Sequence, residues 1–67
     1  MQIFLNNRPE QIEGDEITIS ELIRQKNFTF KLLVTKINGK LVRVGERDTT
    51  RVRNGDTVEV MHLISGG

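Results

Sequence analysis

The chain contains no cysteine, no tryptophan and no tyrosine, and only one proline and one histidine. Without cysteine there is no disulfide, no thiol nucleophile and no thiolate metal site. A single imidazole, His62, leaves the usual zinc donor set incomplete. Three phenylalanines are the only aromatics, which is little for stacking bases of a nucleic acid. Long apolar runs are missing too: nothing approaches the roughly 20 residues of a membrane-spanning helix. The opening "MQIFLN" lacks the basic leader and apolar stretch of a secretion signal. These absences set the expectation of a cytoplasmic protein that binds neither membrane nor nucleic acid.

Length narrows the field further. At 67 residues the chain is one domain, residues 1–67, and such a domain buries only about 60% of the surface its unfolded form exposes. One modest core fits; a second domain or a deep catalytic cleft does not. The net charge is +1 but unevenly spread. Seven basic residues (Lys31, Lys36, Lys40, Arg43, Arg47, Arg51, Arg53) stand against two acidic ones (Glu46, Asp48) between positions 31 and 53. Such a stretch is either a patch for nucleic acid or an acidic protein partner, or a solvated face.

What is present reads as alternating short elements. "QIFLN" alternates and is rich in strand formers, so a first strand is expected from Gln2 to Asn6. "NNRP" is a turn, "EQIE" a short returning strand, and Pro9 belongs at a strand start or on a sheet edge. In "TISE", Thr18 and Glu21 have capping-box spacing, and Ile19, Leu22 and Ile23 share one helical face. The helix is expected from Ile19 to Lys26 or Asn27. A strand from Leu32 to Ile37 meets Asn38-Gly39, a strong hairpin signal, and "KLVRV" returns. After the polar stretch "GERDTTR" and a turn at 54–56, the last strand is expected from Thr57 to Ile64.

This order predicts an α+β fold: a mixed four- to five-stranded sheet with one main helix across one face and parallel, adjacent terminal strands. That is the β-grasp, or ubiquitin-like, arrangement, followed here by a flexible tail at 65–67. Period two then assigns faces. Glu59 belongs in water, so Val58 and Val60 point into the core with Ile3 and Leu5. Phe4, Met61 and Leu63 then fall on the uncovered face as a partner surface, unless loops cover that face or a bulge near Met61 reverses the parity.

No catalytic constellation accompanies this frame. The hydroxyl residues have no histidine at a motif-like spacing, and the glycines at 14, 39, 45 and 55 mark turns rather than a phosphate loop. The remaining chemistry is the ending "HLISGG". Glycines lack Cβ atoms, so Gly66 and Gly67 can thread a narrow channel, and the carbonyl of Gly67 is unhindered. A carboxylate is a poor electrophile, so its use requires activation by a partner, most simply as an acyl-adenylate from ATP. With no cysteine in the chain, no internal thiol can trap the activated end.

Taken together, the segments "MQIFLN", "TISELI", "INGKLV", "NGDTVEV" and "LISGG" resemble the ThiS family, ubiquitin-like sulfur carrier proteins of thiamine biosynthesis. The resemblance covers the whole chain. It implies a protein that is no enzyme itself, binds no cofactor and is a monomer when free. Gly67 would be adenylated by an E1-like adenylyltransferase of the ThiF type, which consumes the ATP. Sulfur from a cysteine desulfurase would then displace AMP to leave a thiocarboxylate for a thiazole synthase of the ThiG type. Gly66 is the slim spacer; Ile64 and Ser65 form the exit from the fold. Phe4, Met61 and Leu63 are docking candidates from strand parity alone. The basic stretch is heavier than the resemblance implies. A carrier serving molybdopterin, cysteine or homocysteine synthesis shares the same fold and ending, and a non-carrier β-grasp binding module of the TGS type is the reading from another class.

Overall fold

A computed structural model describes residues 1–28 and 32–62. The first strand, β1 (Gln2–Leu5), buries Ile3 and Leu5 and leaves Phe4 out. Asn6 and Asn7 then reverse the chain with φ of 50° and 67°, the left-handed angles a two-residue hairpin demands and asparagine tolerates. Because two residues complete the turn, β2 (Arg8–Gln11) begins before the expected Glu10 and takes in Pro9. Its register against β1 runs from Gln2↔Gln11 to Leu5↔Arg8, antiparallel, and β2 is the edge strand that proline requires.

Two three-residue strands were not expected. β3 (Glu16–Thr18) pairs antiparallel with β6 (Arg51–Arg53), as a separate two-stranded sheet that brings the buried Ile17 opposite the buried Val52. Thr18 also caps the helix α1 (Ile19–Gln25). The capping box forms as its spacing predicts: Glu21 N–H donates to Thr18 Oγ1 at 3.1 Å, and Thr18 N–H donates to Glu21 Oε1 at 3.3 Å. Ile19 and Leu22 are the buried stripe, with Ile23 partly buried. Lys26 is the C-cap and Asn27, at φ 56°, leaves the helical path, so the helix stops at Gln25, one residue short of its expected range.

β4 (Leu33–Ile37) and β5 (Lys40–Val42) are joined by Asn38 and Gly39 at φ 49° and 83°. The returning strand ends at Val42, not Val44. Arg43 N–H donates to Glu46 Oε1 at 3.1 Å, which starts a 3₁₀ turn over Val44–Glu46 and leaves Val44 exposed. The last strand described, β7 (Thr57–His62), pairs parallel with β1 and antiparallel with β4. The sheet order β2-β1-β7-β4-β5 thus puts the first and last strands side by side at its centre, and the architecture is the β-grasp.

The core gathers Ile3, Leu5, Ile12, Ile17, Ile19, Leu22, Val42, Val52, Val58 and Val60 from all parts of the chain. Thr35 is the one polar side chain buried among the described residues. Its Oγ1 donates to the Val42 carbonyl at 2.8 Å and accepts from Arg47 Nε at 3.2 Å, so no bonding capacity is stranded. Arg47 also donates from Nη2 to the Leu33 carbonyl at 2.6 Å.

Candidate functional site

The face opposite the helix is built from the alternate residues of the same strands. Register sets Phe4 of β1 beside Thr57, Met61 beside Val34, Glu59 beside Lys36, and Lys36 beside Leu41 of β5. Phe4 is 44% exposed, Met61 39% and Leu41 58%, so three apolar side chains from three strands stay in water. Val58 and Val60, their neighbours in β7, are 0% and 5% exposed. The expected parity therefore holds through Met61, with no bulge to reverse it. Leu41 was missed. The signal was available, because the Asn38-Gly39 hairpin fixes the register Thr35↔Val42 and thereby turns Leu41 to the open side.

Leu63, Ile64, Ser65, Gly66 and Gly67 lie outside the described residues. What the fold fixes is their point of departure. β7 is hydrogen-bonded to β1 up to Val58 (Asn6 N–H to the Val58 carbonyl, 2.9 Å) and continues to His62 against β4, where His62 stands opposite Leu33. Beyond Val58, Asn6 supplies its side chain: Val60 N–H donates to Oδ1 at 2.9 Å and Nδ2 donates to the Val60 carbonyl at 3.1 Å. Asn6 also lines a shallow pocket on the helix side with Leu5, Arg8, Glu10, Lys26 and Phe28. Lys26 and Glu10 form an ion pair within that group.

The described basic residues between 31 and 53 have different surroundings. Lys36 faces the open side of the sheet, Arg47 turns inward onto β4, and Lys31 lies outside the described residues. Arg51 and Arg53 both bond Glu16 across the small sheet, at 2.7 and 3.2 Å. The hydrogen bond from Arg53, reinforced by the charge of Arg51, holds the Glu16 carboxyl below its ordinary range despite slight desolvation. Among the described residues no three His, Cys, Asp or Glu side chains are grouped to hold a metal ion. Nor is any helix long and apolar enough to cross a membrane.

Fold and site together define a small β-grasp domain with one sheet face uncovered and a Gly-Gly run after its central last strand. The family model for the ThiS family matches residues 3–67, and the chain belongs to that family. Among solved structures, it is similar to the crystal structure of a thiamine biosynthesis protein (ThiS) from Geobacter metallireducens. That match has a TM-score of 0.89 and 25% identity, and covers both chains in full. A solution NMR structure of a thiamine biosynthesis protein from the same organism matches with a TM-score of 0.80 at 25% identity, covering all of this chain and 88% of the other.

Proposed function

We propose that this protein is a sulfur carrier of thiamine biosynthesis and a protein substrate, not an enzyme. The observation that carries this reading is the family match, which runs to residue 67 and so includes Gly66 and Gly67. In the proposed reaction a Gly67 carboxylate oxygen attacks the α-phosphorus of ATP in an E1-like adenylyltransferase. Pyrophosphate leaves and an acyl-adenylate forms. The terminal sulfur of a persulfide, supplied through a cysteine desulfurase, then adds to the Gly67 carbonyl and expels AMP, and a thiol reductant cleaves the resulting acyl disulfide to leave a C-terminal thiocarboxylate. Its sulfur is the nucleophile delivered to a thiazole synthase.

The fold supports a division of labour. The domain supplies no acid, base or metal to the reaction; it supplies a docking face and a substrate end. Phe4 and Met61 offer the partner apolar area whose burial favours association. The glycines let the end enter a channel too narrow for side chains. ATP-dependent pyrophosphate exchange by the ThiF-type enzyme tests the first step. Exchange that requires this protein and is lost on deleting Gly67 supports the reading; exchange that persists without Gly67 overturns it.

A further inference from the structure

The basic stretch divides into two groups by its contacts. Arg47 bonds Thr35 and the Leu33 carbonyl, and Arg51 and Arg53 both bond Glu16. Lys36 of β4 and Arg43, just after β5, form no ion pair among the described residues. Their places in the sheet bring these two to one side. Lys36 stands opposite Leu41 on the next strand, so both leave the same face. Val42 is buried and the backbone stays extended through Arg43, at φ −74° and ψ 156°, so Arg43 alternates back to the side of Leu41. Leu41 is therefore an exposed apolar side chain with one cation across from it and a second about 7 Å further along its own chain. Two carboxylates share the region. Glu46 is turned to the backbone, where it accepts the Arg43 N–H, and Glu59 stands opposite Lys36 without closing an ion pair.

We propose that Lys36, Leu41 and Arg43 form a second docking element of the open face, which receives an acidic segment of the adenylyltransferase and steers the carrier onto it. The inference rests on the carrier reading above and adds the charge of the partner's surface. Two cations around one apolar side chain match carboxylates that flank an apolar residue. A neutral or basic surface would strip water from both cations and return nothing for it. Phosphates would also attract the cations, but Leu41 offers a base no aromatic ring to stack on.

Position in the sheet sets the role. The order β2-β1-β7-β4-β5 places these residues on the outer strands, away from Phe4 of β1. They are the charged rim of a face whose apolar part is Phe4 and Met61. Charges at a rim raise the rate of encounter more than they prolong the complex. A protein substrate has to leave one enzyme before it serves another, so faster encounter without slower release fits a carrier.

Lys36→Gln/Arg43→Gln removes both charges and keeps polar side chains. Arg8→Gln/Arg24→Gln is the control, because it removes two charges from exposed positions, Arg24 on α1 and Arg8 opposite the buried Leu5 on the helix side. Pyrophosphate release with the adenylyltransferase and ATP gives kcat and KM for each. At about 0.1 M salt, where screening sets in beyond about 10 Å, kcat/KM is expected to fall about tenfold in Lys36→Gln/Arg43→Gln, with kcat within about twofold. At about 0.5 M salt the gap should close to about twofold or less. Leu41→Ala should lose about threefold at both salts, since apolar burial is not screened. Lys36→Arg/Arg43→Lys, which keeps both charges, should restore the wild-type value, and the control should stay within about twofold of it. Circular dichroism and urea midpoints verify that the variants fold. Wild-type kcat/KM in Lys36→Gln/Arg43→Gln at the lower salt overturns the proposal and leaves the carrier reading intact. An equal loss in the control also overturns it, by reducing the effect to net charge, and so does a loss that salt does not diminish. Fluorescence anisotropy with a labelled single-stranded RNA covers the other partner class: binding abolished by Lys36→Gln/Arg43→Gln, with adenylation untouched, gives the element to nucleic acid and overturns the proposal. Failure of the wild type itself to be adenylated overturns the carrier reading and the partner assigned here with it.

Discussion

The covered and uncovered faces of the five-stranded sheet use alternate residues of the same strands, and β7 shows the contrast within four positions. Val58 and Val60 are buried against the helix side, while Glu59 and Met61 face the other way. On the covered side, contacts come from α1, from the small β3–β6 sheet and from Ile12 beyond the end of β2. On the uncovered side, Phe4, Met61 and Leu41 have water where the core residues have neighbours. The buried face accounts for stability, and under the proposed carrier reading the exposed apolar residues of the other face are free to serve recognition.

The contrast breaks most visibly in the core. Leu22→Ala, at a fully buried helix position, should cost about 2–5 kcal/mol, the range for buried leucine truncation. That is a large part of the roughly 3–10 kcal/mol expected for a domain this size. Urea unfolding followed by circular dichroism measures it. A loss under about 1 kcal/mol would mean that the helix is not what seals this face.

Phe4→Ala and Met61→Ala sharpen the other side. Each should change folding stability by no more than about 1 kcal/mol while the pair together weakens binding to the adenylyltransferase by at least about tenfold. Titration calorimetry against that partner reads the second quantity. Unchanged affinity with a large stability loss would exchange the roles assigned to the two faces.

The smallest effect lies off the main sheet, at Glu16. Its carboxyl is held low by Arg53 and Arg51, so ionised Glu16 favours the folded form above the ordinary glutamate pKa. That contribution is lost as the pH falls through the depressed folded value. A carboxyl NMR titration should place its midpoint below that of an unperturbed glutamate, and Arg53→Gln should raise it. A midpoint that Arg53→Gln leaves in place would remove the arginine as the cause.

Much of this frame was legible in the sequence because period-two strands declare their faces. Ile3, Leu5, Val58 and Val60 were assigned to the core and Phe4 and Met61 to the open side, and each lies there. The capping box at Thr18 and the turn at Asn38-Gly39 were equally readable, since each has a local chemistry that does not wait for tertiary contacts. β3 and β6 were not readable. Each offers a single buried residue, Ile17 or Val52, among charged neighbours, so no alternation is long enough to register. "KLVRV" continued the strand pattern past Val42, but the bond between Arg43 and Glu46 ended it.

The sites divide along the same line. Of the proposed site residues, Gly66 and Gly67 stand out by residue type, and Phe4 and Met61 by parity. Arg47 sits in a polar stretch that looks like a solvated loop, yet its guanidinium reaches Thr35 and Leu33. Asn6 looked like turn chemistry and is that, but its carboxamide also bonds a residue 54 positions away. Such long-range partners leave no trace in local composition. The basic stretch left two readings open in the sequence, and three of its arginines, Arg47, Arg51 and Arg53, prove to be bonded within the fold.

The central claim is that the C-terminal carboxylate of Gly67 becomes the carrier of sulfur. Intact-protein mass spectrometry after incubation with the ThiF-type adenylyltransferase, ATP and a sulfur source tests it most directly, with fragmentation to locate any change. The account predicts a gain equal to one oxygen replaced by one sulfur, confined to the fragment containing Gly67 and dependent on ATP. An unchanged mass, or sulfur carried elsewhere in the chain, would contradict it.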